Sequence, residues 1–220
     1  EETSVSINYS KRVNRPRGRF LSPFSTYSSN INIFQGNPDL NPSFTDNIEL
    51  SLLQRWDKLT LTSAIYTNQT ENSFQFIRKE SGDFVDGIPV IVSTPINLTN
   101  ESRYGFEFNA NYTPYKWWRI NGSFNFFLTQ NRGDYTYTNY LGENITQNFD
   151  VDASSYFTRI SSKITLPKGI DFQTNYFYSG PQNNAQGKYY SMSSLDLAFS
   201  KDILKEKATV NLNVSDLFNT

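Results

Sequence analysis

The 220-residue sequence predicts an all-β chain: a partial transmembrane β-barrel, antiparallel and up-and-down, of about nine strands. Three observations carry this expectation. Apolar and polar residues alternate with a period of two along much of the chain. Connections alternate long and short, so that loop length is sorted by end. The apolar content is concentrated in rings, with 18 Phe, 14 Tyr and 3 Trp, whereas a soluble core prefers compact branched aliphatics.

Val5, Ile7 and Tyr9 alternate with Ser4, Ser6, Asn8 and Ser10 in the first strand. A long irregular stretch from Val13 to Thr45 follows, broken by Pro16, Gly18, Pro23, Gly36, Pro38 and Pro42. Ile48, Leu50 and Leu52 make the second strand, Arg55 to Lys58 a short turn, and Leu59, Leu61, Ser63 and Ile65 the third. A polar stretch after Thr70 holds a small hairpin from Ser73–Arg78 and Ile88–Ser93. The cleanest alternation is Tyr104, Phe106, Phe108, Ala110 and Tyr112 against Arg103, Gly105, Glu107, Asn109 and Asn111. Thr113 to Lys116 turns the chain into Trp118, Ile120, Gly122, Phe124, Phe126 and Leu128.

A polar, tyrosine-rich segment runs from Asn131 to Asp150. Tyr156, Ile160, Ile164 and Leu166 form the next strand, Pro167-Lys168-Gly169 a tight turn, and Ile170, Phe172, Tyr176 and Tyr178 its partner. That turn fixes a register: Ile164 opposite Phe172, Ile160 opposite Tyr176, and Ser162 with Thr174 on the same outward face. A one-residue slip would turn every ring to the wrong side. After a loop at Asn183–Gly187 come Met192 to Phe199, a turn at Asp202–Lys207, and Val210 to Val214.

A soluble meander has no reason to sort its loops by end. A membrane barrel does, with short turns on the periplasmic side and long loops outside. Tyr104–Tyr112 and Trp118–Leu128 meet the roughly 9–11 residues that a tilted strand needs to cross a bilayer. Trp56, Tyr112, Trp117 and Trp118 lie beside short turns, where an interfacial aromatic girdle belongs. An odd number of strands does not close as a bacterial barrel, so residues 1–220 are expected to be one partial barrel domain lacking terminal strands.

The sequence has no cysteine and no histidine. Ser-His-Asp and Cys-His nucleophiles are therefore excluded, as are zinc, haem and iron–sulfur sites built on those ligands. No enzyme and no cofactor is expected. A net charge of -1 argues against nucleic acid, which calls for a basic face.

Parity places Glu49, Arg103, Glu107, Arg119, Arg159, Lys163 and Asp171 on the polar, lumen-facing side. They either contact a plug or substrate or form a solvated wall with cross-strand hydrogen bonds. Tyr135, Tyr137 and Tyr140 are candidate ligand contacts, since rings give large contact area at low entropy cost; packing within a folded loop is the alternative. Asp83 with Asp86, and Asp150 with Asp152, read as turn residues rather than metal ligands. Arg12, Arg15, Arg17 and Arg19 form a basic cluster, either a solvated loop base or a contact for anionic lipopolysaccharide or an anionic ligand.

Several motifs resemble those of TonB-dependent outer-membrane receptors, in their Bacteroidota-type form. Tyr9-Ser10-Lys11-Arg12-Val13-Asn14-Arg15-Pro16 resembles the family's YSRR-x-x-RP run. Gly36-Asn37-Pro38-Asp39-Leu40-Asn41-Pro42 resembles its GNPxLxPE loop, with Ser43 where the family usually has glutamate. Asn47 to Leu50 is similar to the strand start that follows. Leu195–Lys201, then Val210 to Asn219 with Asp216-Leu217-Phe218-Asn219, is similar to the late barrel. The resemblance implies structural roles for Arg15, Pro16, Gly36, Asn37, Pro38, Leu40, Pro42, Asp216, Phe218 and Asn219.

It also implies a Gram-negative outer-membrane location and a complete barrel of about 22 strands around a plugged lumen. The implied partners are outer-membrane lipid, the protein's own plug domain, a TonB complex reached through a preceding N-terminal region, and a surface lipoprotein. The implied function is active uptake of a scarce nutrient: an iron chelate, glycan or peptide. Two other readings stand beside it, a structural or assembly barrel without transport and a soluble β-sandwich that binds carbohydrate.

Overall fold

A computed structural model describes residues 2–184, 187–204 and 207–218. β1 (Glu2–Asn14) leads through a one-turn helix, α1 (Gly18–Leu21), to a small hairpin of β2 (Ser25–Ser29) and β3 (Asn32–Gln35). β4 (Ser43–Arg55), β5 (Leu59–Val85), β6 (Ile88–Tyr115) and β7 (Trp118–Arg132) follow as a meander. A second hairpin, β8 (Asp134–Thr138) and β9 (Asn144–Asn148), precedes β10 (Val151–Leu166) and β11 (Ile170–Ser179). A third, β12 (Gln182–Asn184) and β13 (Gly187–Tyr189), precedes β14 (Met192–Ile203) and β15 (Ala208–Val214).

Nine strands form one antiparallel path, β1-β4-β5-β6-β7-β10-β11-β14-β15. Among the described residues the path is open, with β1 and β15 at its two edges. Short connections gather at one end, at 56–58, 116–117 and 167–169, with the β14–β15 turn beside them. The three extra hairpins lie at the other end. The loop sorting expected from the sequence is thus real.

Register follows the side-chain period. Ile164 pairs with Phe172, Ile160 with Tyr176, and Ser162 with Thr174, as the Pro167–Gly169 turn requires. One row across the sheet reads Ile7, Leu50, Ile65, Phe106, Phe126, Tyr156. The neighbouring row on the opposite face reads Asn8, Glu49, Tyr66, Gly105, Phe127, Ser155. One face is therefore apolar and the other mostly polar. No second layer covers the apolar side among the described residues: Ile7 is 76% and Phe106 43% exposed. A soluble sandwich would bury those rows.

Rings also mark the short-turn end. Tyr115 stacks on Trp117 with centroids 5.1 Å apart, and Trp117 on Trp118 at 6.1 Å. The Trp118 indole N–H donates to Ser162 Oγ at 3.0 Å, satisfying its polar edge on an otherwise apolar face.

The structure departs from the sequence reading in four places. The turn expected at Thr113–Lys116 lies at Lys116-Trp117, because a bulge between Tyr112 and Tyr115 shifts the register. The Val13–Thr45 stretch is not wholly irregular, since β1 runs to Asn14 and β2 pairs with β3. The 73–78/88–93 hairpin is no separate unit; it is the outer part of β5 and β6, which pair up to Val85 and Ile88. Polar side chains concealed this, because a strand rising out of the membrane needs no apolar face. Asp134–Thr138 and Asn144–Asn148 pair as a further hairpin.

Candidate functional site: the inner face and its loop canopy

Alternation delivers the seven expected charges to one face. Paired rows place Glu49, Arg103, Glu107, Arg119, Arg159 and Lys163 together on it, with Asp171 opposite Thr165. The structure divides them into groups. Glu49, Arg103 and Glu107 share a shallow basin of about 330 Å3 with Arg12, Tyr66 and Asn125. Arg119 and Lys163 lie at the short-turn end, where Lys163 Nζ is 2.8 Å from Asp171 Oδ2. Thr165 Oγ1 also donates to Asp171, at 2.7 Å. Arg159 sits between the groups.

This face carries rings that the parity reading did not single out. Tyr66, Phe127, Phe157 and Phe177 share it with the charges. The Arg103 guanidinium lies 4.7 Å from the Phe127 centroid, and Arg159 5.2 Å from that of Phe177. Such contacts hold a cation's plane while leaving N–H groups available. Tyr66 reaches across Gly105 to donate to Asn125 Oδ1 at 3.1 Å. A Cβ on Gly105 would sit 2.4 Å from Tyr66 Cζ and 2.8 Å from the Phe126 carbonyl oxygen. The glycine is the gap through which the ring passes; its place in the alternation was the available signal.

Above the wall the loops form a canopy with its own core. Ile77, Ile96, Leu98 and Phe149 are buried together, with Tyr135 and Tyr137 packed against them. Tyr135 and Tyr137 stack with centroids 6.4 Å apart, and Lys79 Nζ lies 6.0 Å from the Tyr137 ring. Tyr140 covers Gly82, whose φ is +93° and whose added Cβ would meet the Tyr140 ring at 3.1 Å. The three tyrosines thus join the β8–β9 hairpin to the β5–β6 hairpin.

The Gly36–Pro42 loop is pinned from both sides. Asn37 N donates to Phe20 O at 2.6 Å and Asn37 Nδ2 to Pro95 O at 3.2 Å. A Cβ on Gly36 would lie 2.3 Å from the Ser22 carbonyl oxygen, so α1 packs against bare backbone there. Pro38 is exposed, Pro42 half-buried, and Leu40 buried. The Asn97 amide closes the arrangement: Oδ1 accepts from Asn41 N at 2.8 Å, and Nδ2 donates to Asn41 O and Asn72 O. Beneath α1, Phe20, Phe34 and Phe76 make a ring trio with centroids 5.5–6.3 Å apart. Arg19 lies 4.5 Å from the Phe34 centroid, while Arg15 is exposed and Pro16 half-buried.

Of the aspartates expected in turns, Asp86 sits at the β5–β6 tip with φ +52° and Asp150 accepts from Gly133 N at 2.9 Å between β9 and β10. Asp83 instead lies within β5, and Asp152 lies within β10, where it accepts from Arg132 at 2.6 Å. At the far end Asp216 N donates to Asp196 Oδ1 at 2.8 Å and Leu217 N to Leu195 O. Phe218 is exposed, and Asn219 lies outside the described residues.

A one-layer sheet, apolar outside and polar inside, with sorted loops, is the wall of a membrane barrel. The Outer membrane protein beta-barrel family matches residues 1–220. This chain belongs to that family, and its place is the outer membrane of a Gram-negative cell. The family is one of membrane barrels rather than enzymes. No curated protein sequence matches the chain. Among solved structures it is similar to the ferric enterobactin receptor of Pseudomonas aeruginosa, with TM-score 0.61, 12% identity, and cover of 99% of this chain and 33% of that one. It is also similar to the copper transporter OprC, with TM-score 0.58, 13% identity, and cover of 99% and 32%. The chain spans about one third of the length of these structures.

Proposed function

We propose that this chain is the wall, inner lining and outer canopy of a TonB-dependent importer of a scarce nutrient (an iron chelate, glycan or peptide). A plug domain outside residues 1–220 would fill the lumen, an inner-membrane TonB complex would supply the work, and a surface lipoprotein would deliver or cap the substrate. The observation that carries this is the pairing of a charged inner face with a packed canopy above it. A purely structural barrel needs a polar lumen, but not aligned Arg–ring pairs or a loop core that holds hairpins over the lumen. Likeness to a siderophore receptor and a copper transporter over nearly the whole chain agrees with the reading. In this proposal Glu49, Arg103, Glu107, Arg119, Arg159, Lys163 and Asp171 face plug and cargo, and Tyr135, Tyr137 and Tyr140 hold the canopy at the substrate entrance.

The test is uptake of candidate nutrients by cells with and without the gene, each with and without TonB. Loss of uptake of the same nutrient in both single mutants, with no further loss in the double mutant, supports import. Unchanged uptake alongside defective outer-membrane assembly would instead establish a structural barrel.

A further inference from the structure

Where the inner face meets the canopy there is a cleft of about 490 Å3, within the range of small-molecule sites. Its floor is two adjacent rows of the sheet. Arg103 is opposite Thr129, and Glu101 opposite Asn131. Arg78 from the β5–β6 hairpin and Lys188 and Tyr189 from the β12–β13 hairpin complete the rim.

Three polar atoms on that floor are buried and have no partner: Arg103 Nε, Thr129 Oγ1 and Asn131 Oδ1. Thr129 as a whole is only 3% exposed. Buried polar groups without partners cost free energy and are normally satisfied, so three in two neighbouring rows mark a place shaped for something else. The charges set its sign. Arg78, Arg103 and Lys188 face one carboxylate, Glu101, which is 3.4 Å from Arg103 Nη2. Three cations against one anion leave two positive charges uncompensated within the lining.

The orphaned atoms set the geometry. Arg103 Nε asks for an acceptor, Asn131 Oδ1 for a donor, and Thr129 Oγ1 takes either. Phe127 holds the guanidinium from one side, so its free edge is aimed rather than mobile. A bare carboxylate accepts from Arg103 and Thr129 but leaves Asn131 Oδ1 without a donor, and a neutral sugar leaves the cations unpaired. We propose that the cleft binds a small acid whose carboxylate stands beside a hydroxyl, as in a uronic-acid sugar or a hydroxycarboxylate. This rests on the import reading and names the chemistry of its cargo.

The test is titration calorimetry on the full-length protein in detergent, with glucuronate, citrate, the methyl ester of glucuronic acid, and inorganic phosphate as probes. Glucuronate or citrate should bind at least tenfold tighter than the ester and phosphate. Arg103→Gln should weaken acid binding about tenfold or more, since a hydrogen bond to a charged group is lost, and leave the ester unaffected. Lys188→Gln, on an exposed hairpin, should weaken it about threefold, which keeps the test open if Arg103→Gln does not fold. Lys168→Gln, in a remote short turn, should change nothing. Tighter binding of glucuronate identifies a sugar source, and tighter binding of citrate a chelating acid; both support the shared chemistry. Equal binding of acid and ester, equal binding of phosphate, or acid affinity indifferent to both variants overturns it. TonB-dependent uptake of a neutral cargo would overturn it while leaving the importer intact.

Discussion

In the wall, Phe106 and Phe126 pair across β6 and β7 with Phe106 43% exposed; in the canopy, Ile77 and Ile96 are each 1% exposed. The same kinds of apolar residue reach opposite fates about ten residues apart on one strand, since Ile96 and Phe106 both lie on β6. The wall leaves burial to lipid and satisfies its backbone by continuous strand pairing, as any spanning structure must. The canopy stands in water and has to bury its own rings, so it builds a small globular core from the β5–β6 and β8–β9 hairpins. Membrane solvent thus permits one layer, whereas water demands two.

The largest effect should come from the canopy core. Ile96→Ala should cost about 2–5 kcal/mol locally, opening the β5–β6 and β8–β9 hairpins to proteases while the barrel keeps its heat-modifiable migration. Loss of that migration would mean that wall and canopy fold as one unit. Phe106→Arg should do the reverse. It should cost about 2–4 kcal/mol if the residue is near the bilayer midplane, seen as a lower denaturant midpoint in lipid vesicles, with the canopy's protease resistance unchanged once folded. A negligible cost would remove Phe106 from the lipid face.

Asn97→Leu tests the join between motif loop and hairpin. It leaves Asn41 N, Asn41 O and Asn72 O without the amide, at about 1–3 kcal/mol. Faster amide exchange at Asn41 and in the Gly36–Pro42 loop is the readout. The smallest effect belongs to Tyr66→Phe, which removes one hydrogen bond to Asn125 worth about 0.5–1.5 kcal/mol but keeps the ring over Gly105. A shift in denaturant midpoint beyond that range would mean the hydroxyl anchors more than one inward side chain.

The wall was legible from residues alone. Alternation from Arg103 to Tyr112, the Pro167–Gly169 turn and the ring-rich turn flanks specify strands, register and face, because each depends on a period of two and local turn chemistry. The canopy was legible only in part. Its tyrosines stood out, but no local pattern announces that Ile77, Ile96, Leu98 and Phe149 meet, since the first three lie on the β5–β6 hairpin and Phe149 follows β9. Gly36 and Gly105 were visible as glycines, while the groups that crowd them, the Ser22 carbonyl and the Tyr66 ring, come from elsewhere in the chain.

Composition and alternation, by themselves, determined an all-β membrane wall with its polar side turned inward, because a strand's two faces are written in its own sequence. Tertiary structure alone decided that loops pack into a canopy, that Asn97 clamps the motif loop, and that Arg103, Thr129 and Asn131 converge with unmet hydrogen-bonding capacity. Contacts between distant segments depend on how far strands rise and how hairpins lean, and no short stretch of sequence encodes either.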